Sequence, residues 1–161
     1  MKRLTRILLA FCIAVFGPVS LARAQSDANA NVNINADEME VLDAAHKTIF
    51  KGNVSAEQAA DQIQADEMTV TNVDVKQDDG TTKSVADLMD ARGHVTITTK
   101  TAIILGDQAL YHVRANTMTV TGNVTLTQGK NVVKGQKLDL DLKSNHMQMT
   151  GGRVSGSFVP K

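Results

Sequence analysis

The chain of 161 residues is long enough for one domain with a sizeable core, and its 17 basic and 17 acidic residues give a formal net charge of zero. Scattered Lys and Arg residues provide no basic patch for a nucleic acid, and the single cysteine, Cys12, allows no intramolecular disulfide. We therefore expect a domain stabilised by burial and backbone hydrogen bonds alone.

Residues 1–24 have the pattern of a secretory signal peptide. Three basic residues precede an apolar run from Ile7 to Phe16, and Ala22-Arg23-Ala24 forms a small-x-small cleavage site. The apolar run is shorter than the roughly 20 residues of a membrane-spanning helix. We expect cleavage after Ala24 and a soluble, mature, single domain of residues 25–161. Its net charge is about −4, because the removed segment carries four of the 17 basic residues and no acidic one.

An internal repeat organises the rest of the chain. Ala36-Asp37-Glu38-Met39 recurs as Ala65-Asp66-Glu67-Met68, with weaker copies from Gly106 and from Gly135. A second motif, Gly-Asn-Val or a variant of it, begins between these copies, at Gly52, Gly93, Gly122 and Gly152. Both series place one extra segment near Asp74 to Ser84. Their agreement predicts one structural unit that is repeated along the chain.

Within each repeat, apolar residues alternate with polar ones, which is the period of a β-strand. Met118 and Val120, for example, alternate with threonines. No window of adequate length shows the spacing of an amphipathic helix. We predict an all-β fold with almost no helix: a flattened, single-layer β-roll of repeated short antiparallel strands. The recurring glycines favour bulges or sharp bends, and residues 77–80 favour a hairpin tip or a mobile loop.

The two ends of this roll lack the charges that usually protect an edge strand. Residues 31–35 alternate without a charge, and residues 154–159 are unprotected until Pro160. Unprotected ends favour the head-to-tail addition of identical domains. The candidate edge-strand interaction residues are Val32, Ile34, Val154 and Phe158.

Four motifs follow one another in order: Ile34-x-Ala36-Asp37-x-Met39-x-Val41, Thr48-x-Phe50-x-Gly52-Asn53-Val54, Ile63-x-Ala65-Asp66-x-Met68-x-Val70 and Thr121-Gly122-Asn123-Val124. Together they resemble the OstA-like family of lipopolysaccharide-transport proteins, in its LptA branch. The resemblance covers nearly the whole of residues 25–161, including the insert and a closing Val159-Pro160. It implies a twisted β-jellyroll, open along one side, in the periplasm of the Gram-negative envelope.

The family resemblance also implies a function and partners. In outer-membrane biogenesis the interior would hold the acyl chains of lipopolysaccharide (its lipid A part). Copies would join head to tail through edge strands and bridge an LptC-like partner at the inner membrane to an LptD-like partner at the outer membrane. The family positions that contact lipid align with Val32, Ile34, Ile97, Tyr111 and Val113.

Inward apolar residues of the repeats are core residues first, and we also name them as candidate lipid contacts. They are Met39, Phe50, Met118, Val120, Leu138 and Leu140. A greasy interior has a clear use, because exposing hydrocarbon to water costs about 0.8 kcal/mol per methylene. For a chain of about fourteen carbons the penalty is on the order of 10 kcal/mol.

The sequence offers little for catalysis or for binding a metal or cofactor, and we predict none of these. The histidines at 46, 94, 112 and 146 fall in different repeats. Asp37-Glu38 and Asp66-Glu67 are adjacent pairs that point to opposite faces of a strand, so we interpret them as solvated charges. Three alternatives to the carrier stay open: a self-assembling β-solenoid without lipid transfer, a sugar-active β-helix enzyme, and the periplasmic domain of a related component such as LptC.

Overall fold

Alternating side chains build long β-strands in the part of the chain that the computed structural model describes, residues 32–159. The predicted signal peptide of residues 1–24 and the closing Pro160 lie outside it. The strands are β1 (Asn33–Asn35), β2 (Glu38–Leu42), β3 (Lys47–Gln58), β4 (Asp61–Lys76), β5 (Thr82–Thr98), β6 (Ile103–His112), β7 (Thr117–Gln128), β8 (Asn131–Asp141), β9 (His146–Thr150) and β10 (Ser155–Ser157). The only helical element in this range is a 3₁₀ turn at Asp43–Ala45. The predicted all-β fold is confirmed.

All the strands join one antiparallel sheet, because each of the long strands pairs with the next along the chain through a short turn. The order is β1-β3-β4-β5-β6-β7-β8-β10, with β2 also paired to β3 and β9 also paired to β8. Strands β1 and β10 stand at opposite ends of this order and do not pair with each other. The sheet is therefore open, as the family resemblance implied.

A line of β-bulges crosses the sheet at the glycine motifs. Gly52-Asn53, Gly93-His94 and Gly122-Asn123 interrupt the register between each strand and the next. All of these residues have a positive φ. Glycine adopts this conformation without steric cost, and asparagine tolerates it better than most residues do. The bends predicted from the glycines are confirmed, and they share one line.

An aspartate of the other motif lies against each of these bulges. Asp37, Asp66 and Asp107 occupy the space that a Cβ would need at Gly52, Gly93 and Gly122, respectively. The Asn53 and Asn123 amides donate hydrogen bonds of 2.8 and 3.2 Å to the Asp37 and Asp107 carboxylates. The two repeated motifs are thus the two halves of one contact. Asp37 and Asp66 are exposed, as expected for solvated charges, but they also brace the bends.

The bulges fold the sheet into two facing walls. Each of the strands β3 to β8 crosses the line of bulges and contributes one half to each wall. The first wall ends in β2 and β9, and the second wall ends in β1 and β10. Met89 and Ile97 of β5 would lie about 26 Å apart on a straight strand. They line the same cavity, because β5 bends back between them at Gly93-His94.

The inner faces of the two walls form one aliphatic core. Met68, Ile104, Leu138 and Val120 are among its fully buried side chains. No polar or charged residue within 32–159 is buried. Burial of alternate side chains from both walls accounts for the strict alternation in the sequence.

Strands β4 and β5 continue beyond the first wall as a two-stranded ribbon. Residues 72–76 pair with residues 82–86, and Gly80 closes the tip with a φ of +82° and a backbone hydrogen bond of 3.0 Å to Gln77. The extra segment of the sequence is therefore a hairpin.

The bulges give a prediction for stability. We expect Gly122→Ala to lower the free energy of unfolding by about 2–4 kcal/mol, because alanine is strained at this φ and its Cβ would meet the Asp107 carboxylate. Urea denaturation measures this loss. Gly129→Ala is the matched control: its φ is +58°, but nothing lies within 4 Å of the added Cβ, so we expect a loss of about 1 kcal/mol. Equal losses would contradict the bracing role of Asp107.

Candidate functional site

Two adjoining cavities lie between the walls. The outer one, which we call the mouth cleft, has a volume of about 700 Å³ and lies among the turns β3–β4, β5–β6, β6–β7 and β8–β9. The deeper one, which we call the inner cavity, has a volume of about 100 Å³. Ile104, Tyr111 and Leu140 line both, so the inner cavity adjoins the mouth cleft.

The inner cavity is apolar. Its lining includes Ile63, Met89 and Met118, and the polar residues Gln58, Asp61 and Thr99 line both cavities. A cavity with few polar partners holds water poorly and is suited to hydrocarbon. Its volume is about one seventh of that of the mouth cleft, so it is the smaller part of the space between the walls.

Several of the candidate lipid contacts lie at these cavities. Ile97, Tyr111 and Leu140 line the inner cavity together with Met118, and Val113 lines the mouth cleft beside Tyr111 and Leu140. Val32 also lines the inner cavity, from a position one residue before β1. The structure thus brings together residues that lie up to 108 positions apart in the sequence, from Val32 to Leu140.

The remaining candidates lie elsewhere. Val120 and Leu138 are completely enclosed in the core, and Ile34 and Phe50 pack against it without lining a cavity. Met39 was expected in the interior, and this placement is wrong: its side chain is 62% exposed. Met39 lies in β2, the last strand of the first wall, where no further strand covers it. Alternation along the sequence cannot reveal that the layer ends there.

Exposed apolar residues collect at both ends of the sheet. Val32, Met39 and Val41 lie at the amino-terminal end, and Val154 and Phe158 flank β10 at the other. Each of the strands β1, β2, β9 and β10 pairs with one neighbour only. Their second edges present unpaired backbone groups within the described chain, so the candidate edge residues do lie at sheet edges.

Comparison with known proteins gives the family. Residues 33–146 match the model of the family described as LptA/(LptD N-terminal domain) LPS transport protein. The chain belongs to this family. A comparison with curated protein sequences finds no significant match.

The family fold also occurs among solved structures. LptH of Pseudomonas aeruginosa, described as the LptA-homologous periplasmic component of the conserved lipopolysaccharide transport device, is similar with a TM-score of 0.72. The identity is 15%, and the similarity covers 84% of this chain and all of that one. No helix among residues 32–159 is long and apolar enough to cross a membrane.

The polar rim of the mouth cleft was missed by the sequence reasoning. The Tyr111 hydroxyl donates a hydrogen bond of 2.9 Å to Asn116, which fixes the ring at the junction of the two cavities, and burial raises the pKa of Tyr111. Lys100 and Lys143 also line the cleft, each from a turn. The signal in the sequence was the position of these residues at hairpin turns. It could not be read without knowing which turns share a side of the sheet.

The histidines have a structural setting. No group of three or more His, Cys, Asp or Glu side chains suited to a metal occurs in the described part of the chain. Nδ1 of His94 lies 2.7 Å from the Asp66 carboxylate, at the bulge where two other repeats have asparagine. The hydrogen bond to Asp66 and the negative charge of that carboxylate raise the pKa of His94 above 6.5.

This contact predicts a pH dependence of stability. A raised pKa in the folded protein means that the protonated His94 stabilises the fold fully below pH 6.5, and that this stabilisation is lost as the pH rises through the folded-state pKa. We expect His94→Asn to remove this pH-dependent part of the free energy of unfolding. Urea denaturation at pH values below and well above 6.5 measures it. His112→Asn is the control, since His112 forms no ion pair within residues 32–159. An unchanged pH dependence in His94→Asn would refute the assignment.

Proposed function

We propose that this protein is a non-catalytic periplasmic carrier that shelters the acyl chains of lipopolysaccharide and needs no cofactor. The observation that carries the proposal is the apolar inner cavity that adjoins the mouth cleft at the open side of the folded sheet. Membership of a family of LPS transport proteins supports the choice of lipid.

The energetics favour such a cavity. Transfer of each methylene group out of water lowers the free energy by about 0.8 kcal/mol, so partial shelter of one acyl chain stabilises the bound lipid by several kcal/mol. Similar cavities in successive copies offer similar environments, so the free energy of the lipid changes little along the path. The direction of transport then comes from an energy source outside this protein.

Entry of a whole acyl chain requires the walls to separate, because the inner cavity is small. The geometry suits such a movement. The walls meet at the line of bulges. At the open side, between turns β5–β6 and β6–β7, the strands of one wall do not pair with those of the other. Met89 and Met118, which line the inner cavity, have flexible side chains that adapt to a changing shape.

We further propose that copies add head to tail and bridge an LptC-like partner at the inner membrane to an LptD-like partner at the outer membrane. The free edges at both ends of the sheet support this. Strand addition would satisfy their unpaired backbone groups and bury the exposed apolar residues beside them, such as Val154 and Phe158. A second copy stacked in this way continues the apolar interior.

A self-assembling solenoid without lipid transfer is the second candidate, since the same free edges favour it. Photocrosslinking separates the two. We expect p-benzoylphenylalanine at Tyr111 or Val113 to form an adduct with lipopolysaccharide, detected by gel shift and immunoblotting, because both positions line the cavities. The matched control is position Thr119, which is on the same hairpin but has its hydroxyl bonded to Asp139 on the outer face. Equal labelling at all positions, or labelling at Thr119 alone, would favour the solenoid.

The free edge at β10 gives a prediction for assembly. We expect the wild-type protein to form concentration-dependent chains, and deletion of residues 154–161 to reduce them to monomers in size-exclusion chromatography with light scattering. Because a deletion can perturb folding, Ser155→Lys combined with Ser157→Lys provides a milder test. Charges on an edge strand oppose strand addition, and we expect self-association to weaken about tenfold or more.

The control for the lysine pair is Ser84→Lys on the exposed ribbon, which leaves both ends of the sheet unchanged. Elongation that persists in the truncated protein and in the lysine pair would rule out β10 as the joining edge.

A further inference from the structure

Two lysines stand at the rim of the mouth cleft, on different walls. Lys100 lies in the turn between β5 and β6, and Lys143 lies in the turn between β8 and β9. The first turn is at the outer end of the second wall, and the second is at the outer end of the first wall. The two side chains therefore border the opening from opposite sides.

Hydrogen bonds hold both turns in place. In the first turn, Thr99 and Ala102 bond to each other through a backbone hydrogen bond of 2.9 Å and a side-chain bond of 3.1 Å. In the second turn, the Asp141 carboxylate accepts hydrogen bonds of 2.9 and 3.2 Å from the backbone N–H groups of Lys143 and Ser144. Each lysine thus extends from a backbone with a defined position.

The other charged groups that line the mouth cleft are Arg114, Asp141 and Asp61. The Arg114 guanidinium already forms an ion pair of 2.5 Å with Asp87. Asp141 is held by the backbone of its own turn. Asp61 is the one remaining carboxylate of the lining. Lys100 and Lys143 form no salt bridge with any residue of the described chain, although, after the hydrogen bonds within the turn, the charge of Lys143 also contributes to lowering the pKa of Asp141 from a longer distance. Both cations can therefore form a direct ion pair with a ligand.

We propose that Lys100 and Lys143 bind the phosphate groups of the lipid whose acyl chains enter the inner cavity. The inference rests on the proposed function and adds the recognition of the lipid's anionic head. A cationic rim above an apolar interior fits an amphiphile whose charges lie directly beside its hydrocarbon. A free anion in solution would gain nothing from the apolar part of the site.

The test compares two lipids and three proteins. Surface plasmon resonance on immobilised full-length protein measures the dissociation constants of bisphosphorylated lipid A and of the same lipid without phosphates. We expect Lys100→Gln combined with Lys143→Gln to bind the phosphorylated lipid about fivefold to tenfold more weakly than the wild type does, the combined effect of two exposed ion pairs. Binding of the phosphate-free lipid is expected to stay unchanged. Added salt should narrow the difference between the lipids.

The control protein carries Lys76→Gln and Lys83→Gln, a matched loss of two charges on the ribbon, away from the cleft lining. We expect it to bind both lipids as the wild type does. Urea denaturation of all three proteins checks that they are equally folded. If this control loses as much affinity for the phosphorylated lipid as the Lys100→Gln, Lys143→Gln protein does, the effect is due to net charge alone, and the proposal is overturned.

Two further outcomes separate this inference from the proposed function. If the wild type binds both lipids equally well, the phosphate recognition is wrong and the acyl-chain carrier remains. If the wild type binds neither lipid, the proposed function itself fails, and this inference fails with it. Inorganic phosphate is the third ligand. If the wild type binds it and the Lys100→Gln, Lys143→Gln protein does not, the lysines bind a free anion, and the lipid interpretation is overturned.

Discussion

The contact between an aspartate and a glycine bulge on the next strand sets the place at which the sheet folds. It recurs as Asp37 with Gly52, Asp66 with Gly93 and Asp107 with Gly122, and in the last repeat Gln136 takes the place of the aspartate against Gly151. Because the contacts align across the sheet, every long strand bends at the same level. A sheet without this line would remain a single twisted layer, and its apolar face would stay in water.

The fold determines what kind of cavity is available. The two walls are joined at the line of bulges and are separate at the opposite side. They therefore enclose an aliphatic interior with an open side. The interior is closely packed near the bulges, where Val54, Val95 and Val124 are almost completely buried. It becomes hollow toward the mouth cleft, where Tyr111 and Leu140 meet the turns. A gradient from packed core to open cleft allows one set of alternating residues to serve both stability and the lipid shelter that we propose.

The open ends follow from the same architecture. A closed barrel has no edges, whereas a folded open sheet has an edge strand at each end of each wall. Here β1 and β10 are short and uncharged, and exposed apolar residues lie beside them. Features that would be an aggregation hazard in an isolated domain suit a domain that joins copies of itself. The lipid shelter and the continuity between copies that we propose would thus have one structural origin.

The strands, the bends and the family could be predicted from the amino-acid sequence, because side-chain alternation and the recurring glycines are local properties of each segment. The family resemblance also indicated Ile97, Tyr111 and Val113 as candidate lipid contacts. Which inward residues reach a cavity depends on the packing of the two walls: Leu140 does, whereas Leu138, two positions earlier on the same face, is enclosed in the core. Likewise, only the folded walls bring Lys100 and Lys143 to one opening and leave Met39 uncovered. These relations depend on where a layer ends and which turns face each other, and they arise from packing between segments distant in sequence.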